Sequence, residues 1–265
     1  MKSDALRAPP DWRRLAFVSD LHLGAEAPRT TAAFIDWLGT GTGARGADAV
    51  YVLGDLFESW VGDDQLDVDS AAAAVCDALR GFVDAGGQLA VQRGNRDFLL
   101  GDAFAARCGA RLIDDPCLLD CGAQRVLLTH GDALCLDDAA YLQWRAQCRA
   151  PNWQAMFLAQ PLPERLAQAA AARQASRGAQ AAREALTDAD ETEALRWLHA
   201  CGAAWMIHGH THRPRSHWRG GTLREVLSDW DLDHDARAQV LWLQRDAGGA
   251  IAVRRAAPQP AHSAT

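Results

Sequence analysis

Apolar residues along this chain cluster in short, dense runs: "LAFVS" (15–19), "AVYVL" (49–53), "QLAVQ" (88–92), "RVLLT" (125–129) and "AWMI" (204–207). Rich in β-branched and aliphatic residues, they read as buried strands. Between the early runs lie two segments of helical period, "TTAAFIDWL" (30–38) and "SAAAAVCDALRGFVDAG" (70–86), the second closed by a Gly-Gly pair suited to a helix C-terminus. Strand and helix alternate, which predicts an α/β fold. From Thr222 onward the rhythm changes to "LREVLSDW" and "AQVLWLQRDAGGAIAVRRA", where two apolar runs flank "RDAGG". That pattern predicts a β-hairpin and, with it, a second, antiparallel sheet.

The stretch 139–194 interrupts the strand rhythm. It is rich in Ala, Gln, Arg, Trp and Leu and holds no strand-like run, so it is expected to be a helical cap inserted into a core made of 15–138 and 195–255. Residues 1–14 are expected to be an N-terminal extension and 256–265 a disordered tail.

Composition narrows the class. A chain of 265 residues with 49% hydrophobic and 23% charged residues is an ordinary globular protein, apart from its ten tryptophans. No span approaches the ~20 apolar residues of a transmembrane helix, and "MKSDALRAPPDWRR" has no apolar core of a signal peptide. A cytosolic location is expected. Seven cysteines without a CxxC pair suit reduced, core-filling thiols. A net charge of −7 speaks against nucleic acid as a partner.

The chemistry sits where the strands end. In chain order the polar clusters are "SDLHLG" with Asp20 and His22, "LGDLFE" with Asp55, "RGNRDF" with Asn95, Arg96 and Asp97, "THGD" with His130 and Asp132, and "HGHTH" with His208, His210 and His212. Singly, each is as well explained by a turn or a polar loop. Together, each directly after a strand, they converge on the crevice outside the carboxyl ends of an open α/β sheet. Asp, Asn and His form an oxygen and nitrogen ligand set without thiolate, suited to Mn, Fe, Co or Zn. Seven ligands exceed what one ion needs, and two ions sharing a carboxylate would use them all, the arrangement that serves phosphoryl transfer.

The series D-x-H, GD, GN, H, GHTH resembles the calcineurin-like metallophosphoesterase superfamily. Within it, "FVSDLHLG", "YVLGDLFESWVGDD", "GNRDFLLG", "THGDALCLDDAAYLQWR" and "IHGHTHRP" are together similar to the branch that hydrolyses UDP-2,3-diacylglucosamine in lipid A biosynthesis. The similarity runs from about Leu15 to Trp242. It implies a four-layer α/β/β/α sandwich and a dinuclear manganese centre, with two Mn²⁺ ions. It also implies one ligand set of Asp20, His22, Asp55 and His212 and a second of Asp55, Asn95, His130 and His210, with Asp55 bridging. His208 belongs to neither set. Asn95, Arg96 and His210 are the implied catalytic residues. Substrate contacts fall on Asn95, Arg96, His210, Asp138 and, in the cap, Ser176, Gln180 and Arg183. Gln180 and Arg183 depart from the Asn and Lys common at those places in relatives.

Arg96 supports the same reading by its chemistry. Arginine does not give up its proton at working pH, but it neutralises phosphate oxygens through bidentate hydrogen bonds. A leaving group that is itself a phosphate monoester departs as a stable anion and needs no proton, so Arg96 suits a pyrophosphate link. Water would attack the α-phosphorus, releasing UMP and 2,3-diacylglucosamine 1-phosphate. The apolar segment with Trp153, Met156, Phe157, Leu158, Leu162 and Leu166 is a candidate acyl-chain chamber as well as an ordinary packing face. Four arginines and no acid between Arg165 and Arg183 suit diphosphate or an anionic leaflet, and equally a solvated face. The expected partners are the lipid substrate and, peripherally, the cytoplasmic face of the inner membrane, with no obligate protein partner. Two other readings stay open here: a dinuclear-metal phosphodiesterase acting on nucleotides or UDP-sugars, and a non-catalytic scaffold of the same fold.

Overall fold

The computed structural model describes residues 5–40, 42–184 and 188–258; the side chains of 175–184 lie outside that description. The chain opens with β1 (Leu6–Arg7), β2 (Arg14–Val18), α1 (Pro28–Gly39), β3 (Ala49–Leu53), α2 (Ser70–Asp84) and β4 (Gln88–Gln92). It continues through α3 (Asp102–Cys108), β5 (Arg111–Ile113), β6 (Cys117–Asp120) and β7 (Arg125–Thr129) to four consecutive helices. These are α4 (Ala139–Cys148), α5 (Pro151–Leu158), α6 (Leu162–Glu184) and α7 (Glu191–Cys201). The last strands are β8 (Trp205–His208), β9 (Arg215–Arg219), β10 (Thr222–Val226), β11 (Val240–Arg245) and β12 (Ile251–Ala256).

Two six-stranded sheets form the frame, ordered β12-β11-β2-β3-β4-β5 and β1-β6-β7-β8-β10-β9. In the first, β2 to β5 are parallel; in the second, β7, β8 and β10 are parallel. Because successive side chains of a strand alternate between faces, Leu15 and Phe17 of β2 enter the space between the sheets, while Ala16 and Val18 face the helices. Tyr51, Leu53, Leu128, Ile207 and Leu243 complete the layer between the sheets. On the outer face of the first sheet, Phe34 and Trp37 of α1, Val75, Leu79 and Phe82 of α2 and Phe104 of α3 pack over Val50, Val52 and Val91. On the outer face of the second, Leu198 of α7 packs with Leu127 and Met206. The result is the four-layer α/β/β/α sandwich that the resemblance implied. Six of the seven cysteines are buried and all are free.

Several expectations change. The hairpin β11–β12 does not start a separate antiparallel sheet: β11 pairs antiparallel with β2 and extends the parallel sheet, while β10 joins β8 in the other. Antiparallel pairing needs only a free edge of matching register, which β2 offers. Within the segment set apart as an N-terminal extension, Leu6 and Trp12 join the core: Leu6 pairs with Leu119 and Trp12 is buried. The far boundary of the cap also moves. Residue 194 falls inside α7, whose Asp190 cap and Gly202 terminus delimit one helix belonging to the outer layer of the core. From residue 259 the expected tail lies outside the described residues.

Candidate metal centre

Asp20 and His22 follow β2, Asp55 follows β3, Asn95 follows β4, His130 follows β7, and His210 and His212 follow β8. The carboxyl ends of the parallel strands in both sheets thus deliver all seven residues to one place. The backbone is held in unusual shapes there. The described non-glycine residues with positive φ are Asp20, His22, Asp55, His210 and His212, at 49° to 68°. All five are proposed ligands. Left-handed backbone at a non-glycine residue costs of order 1–3 kcal/mol and persists only where surroundings enforce it. Those surroundings are hydrogen bonds between the loops: Leu21 and His22 donate to the Asp55 carbonyl at 2.9 and 3.1 Å, His210 N–H to Asp20 Oδ2 at 2.9 Å, and Gly209 N–H to the His130 carbonyl at 2.9 Å. The glycine before each ligand in "GD" and "GN" has its own reason. A Cβ on Gly54, at φ +88°, would stand 2.5 Å from His130 Nδ1, and one on Gly94 would run into the Asp55 carboxylate.

The donor atoms fall into two groups, each with its atoms within 4.8 Å of one another: Asp20, His22 and His212, and Asp20, Asp55 and His130. Asn95 joins the second side, its Oδ1 2.9 Å from His130 Nε2 and 3.0 Å from His210 Nδ1. Asp20 is common to both groups; Asp55, the expected bridge, belongs to the second with Oδ1 3.8 Å from His130 Nε2, and its charge also acts on His22 and His212 of the first. The set fits divalent cations on two counts. Asp20 Oδ1 and His22 Nε2 are buried without a hydrogen-bond partner, which is costly for polar atoms unless a cation engages them. The local field also favours positive charge. Burial opposes protonation of His130, yet the Asp55 and Asp20 carboxylates outweigh it and push its pKa up to about 9. His212 is raised to about 9 in the same way, against burial, by Asp20 and Asp229. Burial and the neighbouring His130 instead lower His210 to about 4, so it stays neutral and ligand-competent at pH 7.

A supporting ring orients these groups. His130 Nδ1 donates to the Leu53 carbonyl at 2.9 Å, which turns Nε2 toward the cluster. Glu58 Oε2 is 3.1 Å from His22 Nδ1, and Asp229 Oδ2 is 3.6 Å from His212 Nδ1. Asp97, which the sequence reading gave no role, is fully buried and accepts the amides of Gly94 and Leu56, both at 2.7 Å, so it ties the Asn95 turn to the Asp55 turn. Burial and the adjacent Asp55 raise its pKa to about 6. Its position directly after "GNR" was the available signal. His208 does turn away from the cluster: its Nδ1 donates to the Gly209 carbonyl at 2.9 Å and its Nε2 accepts from Arg224 at 3.0 Å.

Above the cluster opens a cavity of about 430 Å³. Its floor includes His22, Asp55, Asn95, His210 and His212, and Arg96 and Asp138 also line it. Asp138 additionally caps α4 by accepting the Tyr141 amide at 2.9 Å. Cap residues form an apolar wall, in which Trp153 stacks on Phe157 at 4.9 Å and meets Phe98 at 6.0 Å and Trp144 at 5.3 Å. Leu162 and Leu166 pack against the core instead, and Met156 and Leu158 are exposed. Arg165 is not free to grip a diphosphate: at 3% exposure it is tied to Asp64 and the carbonyls of Val61 and Gln160. Arg173 lines the cavity in its place, with Nε unpartnered. The side chains of Ser176, Gln180 and Arg183 lie outside the described residues.

The calcineurin-like phosphoesterase profile matches residues 13–214. A UDP-2,3-diacylglucosamine hydrolase of Chromobacterium violaceum is 47% identical over 88% of this chain and 95% of its own. One of Stenotrophomonas maltophilia is 47% identical over 81% of this chain and 90% of its own, and one of Chromohalobacter salexigens is 46% identical over 80% and 87%.

Proposed function

This chain belongs to the calcineurin-like phosphoesterase family, in the branch of the UDP-2,3-diacylglucosamine hydrolases, and we propose that it cleaves the pyrophosphate link of UDP-2,3-diacylglucosamine in lipid A biosynthesis. The products are UMP and 2,3-diacylglucosamine 1-phosphate. The observation that carries this reading is one cavity that joins the cluster of Asp, Asn and His to an apolar wall of Trp153, Phe157 and Phe98. Such a cavity suits a substrate that is a diphosphate at one end and a lipid at the other.

Asp20, His22, Asp55 and His212 would hold one Mn²⁺ ion and Asp55, Asn95, His130 and His210 the other, an oxygen and nitrogen set suited to manganese. When bound, the two cations supply Lewis acidity toward the phosphoryl oxygens and lower the pKa of water at the site. The chain's own residues do the rest. Arg96 faces the cavity and neutralises charge on the phosphate oxygens, and the Asn95 amide supplies a further donor. Neither gives up a proton, and none is needed, because the departing sugar 1-phosphate is a stable anion. Asp138, which lines the cavity, and by resemblance the cap positions Ser176, Gln180 and Arg183 would contact the substrate. The aromatic wall excludes water from the acyl chains.

The described residues contain no helix long and apolar enough to cross a membrane. Met156 at 66% exposure and Leu158 at 42% leave apolar surface on α5, the helix whose Trp153 and Phe157 line the cavity, which supports peripheral docking on the cytoplasmic face of the inner membrane.

The test is product analysis by mass spectrometry in ¹⁸O-labelled water with Mn²⁺, giving the protein UDP-2,3-diacylglucosamine and, in parallel, UDP-N-acetylglucosamine. Label in UMP from the lipid substrate alone is expected. Label in the sugar phosphate would overturn attack at the α-phosphorus, and turnover of neither substrate would overturn the assigned activity.

A further inference from the structure

The segment "THGDALCLDDAAYLQWR" contributes His130 to the centre and Asp138 to the cavity, yet its most buried polar contacts belong to other residues. Tyr141, Arg145 and Arg149 recur at four-residue spacing, so they share one face of α4 and its C-terminal cap. All three reach into the core. Tyr141 Oη donates to Asp132 Oδ2 at 2.5 Å and Arg145 Nε to the same oxygen at 2.8 Å. Arg145 Nη2 donates at 3.0 Å to Asp115 Oδ2, whose other oxygen accepts Thr129 Oγ1 at 2.6 Å and the His130 amide at 3.1 Å. Arg149 Nη2 donates to the carbonyls of Gly94 at 3.1 Å and Arg93 at 3.3 Å, directly before Asn95, and lies 3.5 Å from Asp132 Oδ2.

We propose that Arg145 and Arg149 are positioning residues for one half of the metal centre, bracing the His130 and Asn95 loops from the cap so that cap and metal occupancy are coupled. The inference rests on the reading that Asn95 and His130 hold one of the two ions.

Residue chemistry explains the choice of arginine. The planar fork of Arg145 reaches two carboxylates through different nitrogens, which a lysine point charge does not reproduce. Asp132 is fully buried, and a buried carboxylate is stable only when paired: Arg145 Nε lies 2.8 Å and Arg149 Nη2 3.5 Å from its Oδ2. The brace is one-sided. The other ligand half has partners outside α4, namely Glu58 beside His22 and Asp229 beside His212. Coupling is reciprocal in such an arrangement: what steadies the loops for metal steadies the cap for substrate.

The test is Mn²⁺ titration of the full-length protein without substrate, read by the free-ion electron paramagnetic resonance signal, on wild type, R145K and R149M. R145K keeps the charge beside Asp132 and is the variant that protects folding. Removing groups that orient ligands weakens metal binding ~10–100-fold. We expect both variants to weaken one ion by about tenfold or more and to leave the other within about twofold, with excess Mn²⁺ restoring turnover. Wild-type affinity for both ions in both variants would overturn the brace, as would equal weakening of both ions alongside a lowered Tm. Uptake of fewer than two ions by the wild type would instead overturn the two-ion reading itself.

Discussion

The backbone N–H of Arg96 donates to Asp55 Oδ1 at 2.8 Å, while its side chain faces the cavity. One residue therefore supports a proposed ligand through its main chain and offers its side chain to the cavity as the proposed phosphate contact. The two roles separate on mutation. Arg96→Ala keeps the amide, so Mn²⁺ stoichiometry should be unchanged by titration. Loss of a charge-assisted hydrogen bond, about 1.5–3 kcal/mol, should lower kcat/KM by roughly 10- to 150-fold. Metal loss in this variant would show that the side chain, and not the amide, holds Asp55 in place.

The proposed ligands stand out in the sequence because each follows a buried strand, and buried strands announce themselves as apolar runs. Of the runs read, 49–53, 88–92 and 125–129 coincide with β3, β4 and β7. β9, "RSHWR", was not legible: it is an edge strand with Trp218 67% exposed, so no buried face imposes a pattern on it. The partners of the ligands were harder to read than the ligands. Asp115 and Asp132 act through an amide, a tyrosine and arginines 9 to 30 residues away, and Asp97, besides the nearby Gly94 amide, meets that of Leu56 41 residues away; nothing in the local residue pattern records those distant partners. The cap was legible as helical, but which of its apolar residues face the cavity depended on how the helices dock. Trp153 and Phe157 do; Met156 does not.

Metal and protons should compete for the centre. In chelator-stripped protein, His130 and His212 hold protons up to about pH 9, above their ordinary value of 6.5. A raised pKa contributes stability that is complete below 6.5 and is lost as pH rises through 9. The stripped protein should therefore lose Tm between pH 6.5 and 9, whereas Mn²⁺ affinity should rise across the same window as the imidazoles become available. Differential scanning calorimetry at matched pH, with and without Mn²⁺, should show a gap in Tm that widens with pH. A constant gap would mean that the ions do not displace these protons.

Arg165 fastens the cap. Its guanidinium satisfies the carbonyls of Val61 and Gln160, at 2.9 Å for the latter, and pairs with Asp64 at the surface. Arg165→Met retains the aliphatic stem but leaves a buried carbonyl unpaired, which costs about 1–3 kcal/mol. Urea unfolding should show the midpoint lowered with little change in slope. An unchanged midpoint would place the attachment of the cap elsewhere.

Trp153 decides whether the cavity wall serves the lipid. It stacks on Phe157 and meets Phe98 and Trp144, so truncation to alanine opens the wall where acyl chains would lie. Each buried methylene contributes about 0.8 kcal/mol, and exposing two of them should raise KM for the long-chain substrate by roughly fifteenfold. A short-chain analogue, with nothing to bury there, should change by less than about twofold, since the diphosphate contacts are untouched. The difference between the two substrates is the informative quantity, because general loosening of the cap would weaken both alike. Equal losses on long and short chains would make Trp153 a packing residue and move the acyl site away from this wall.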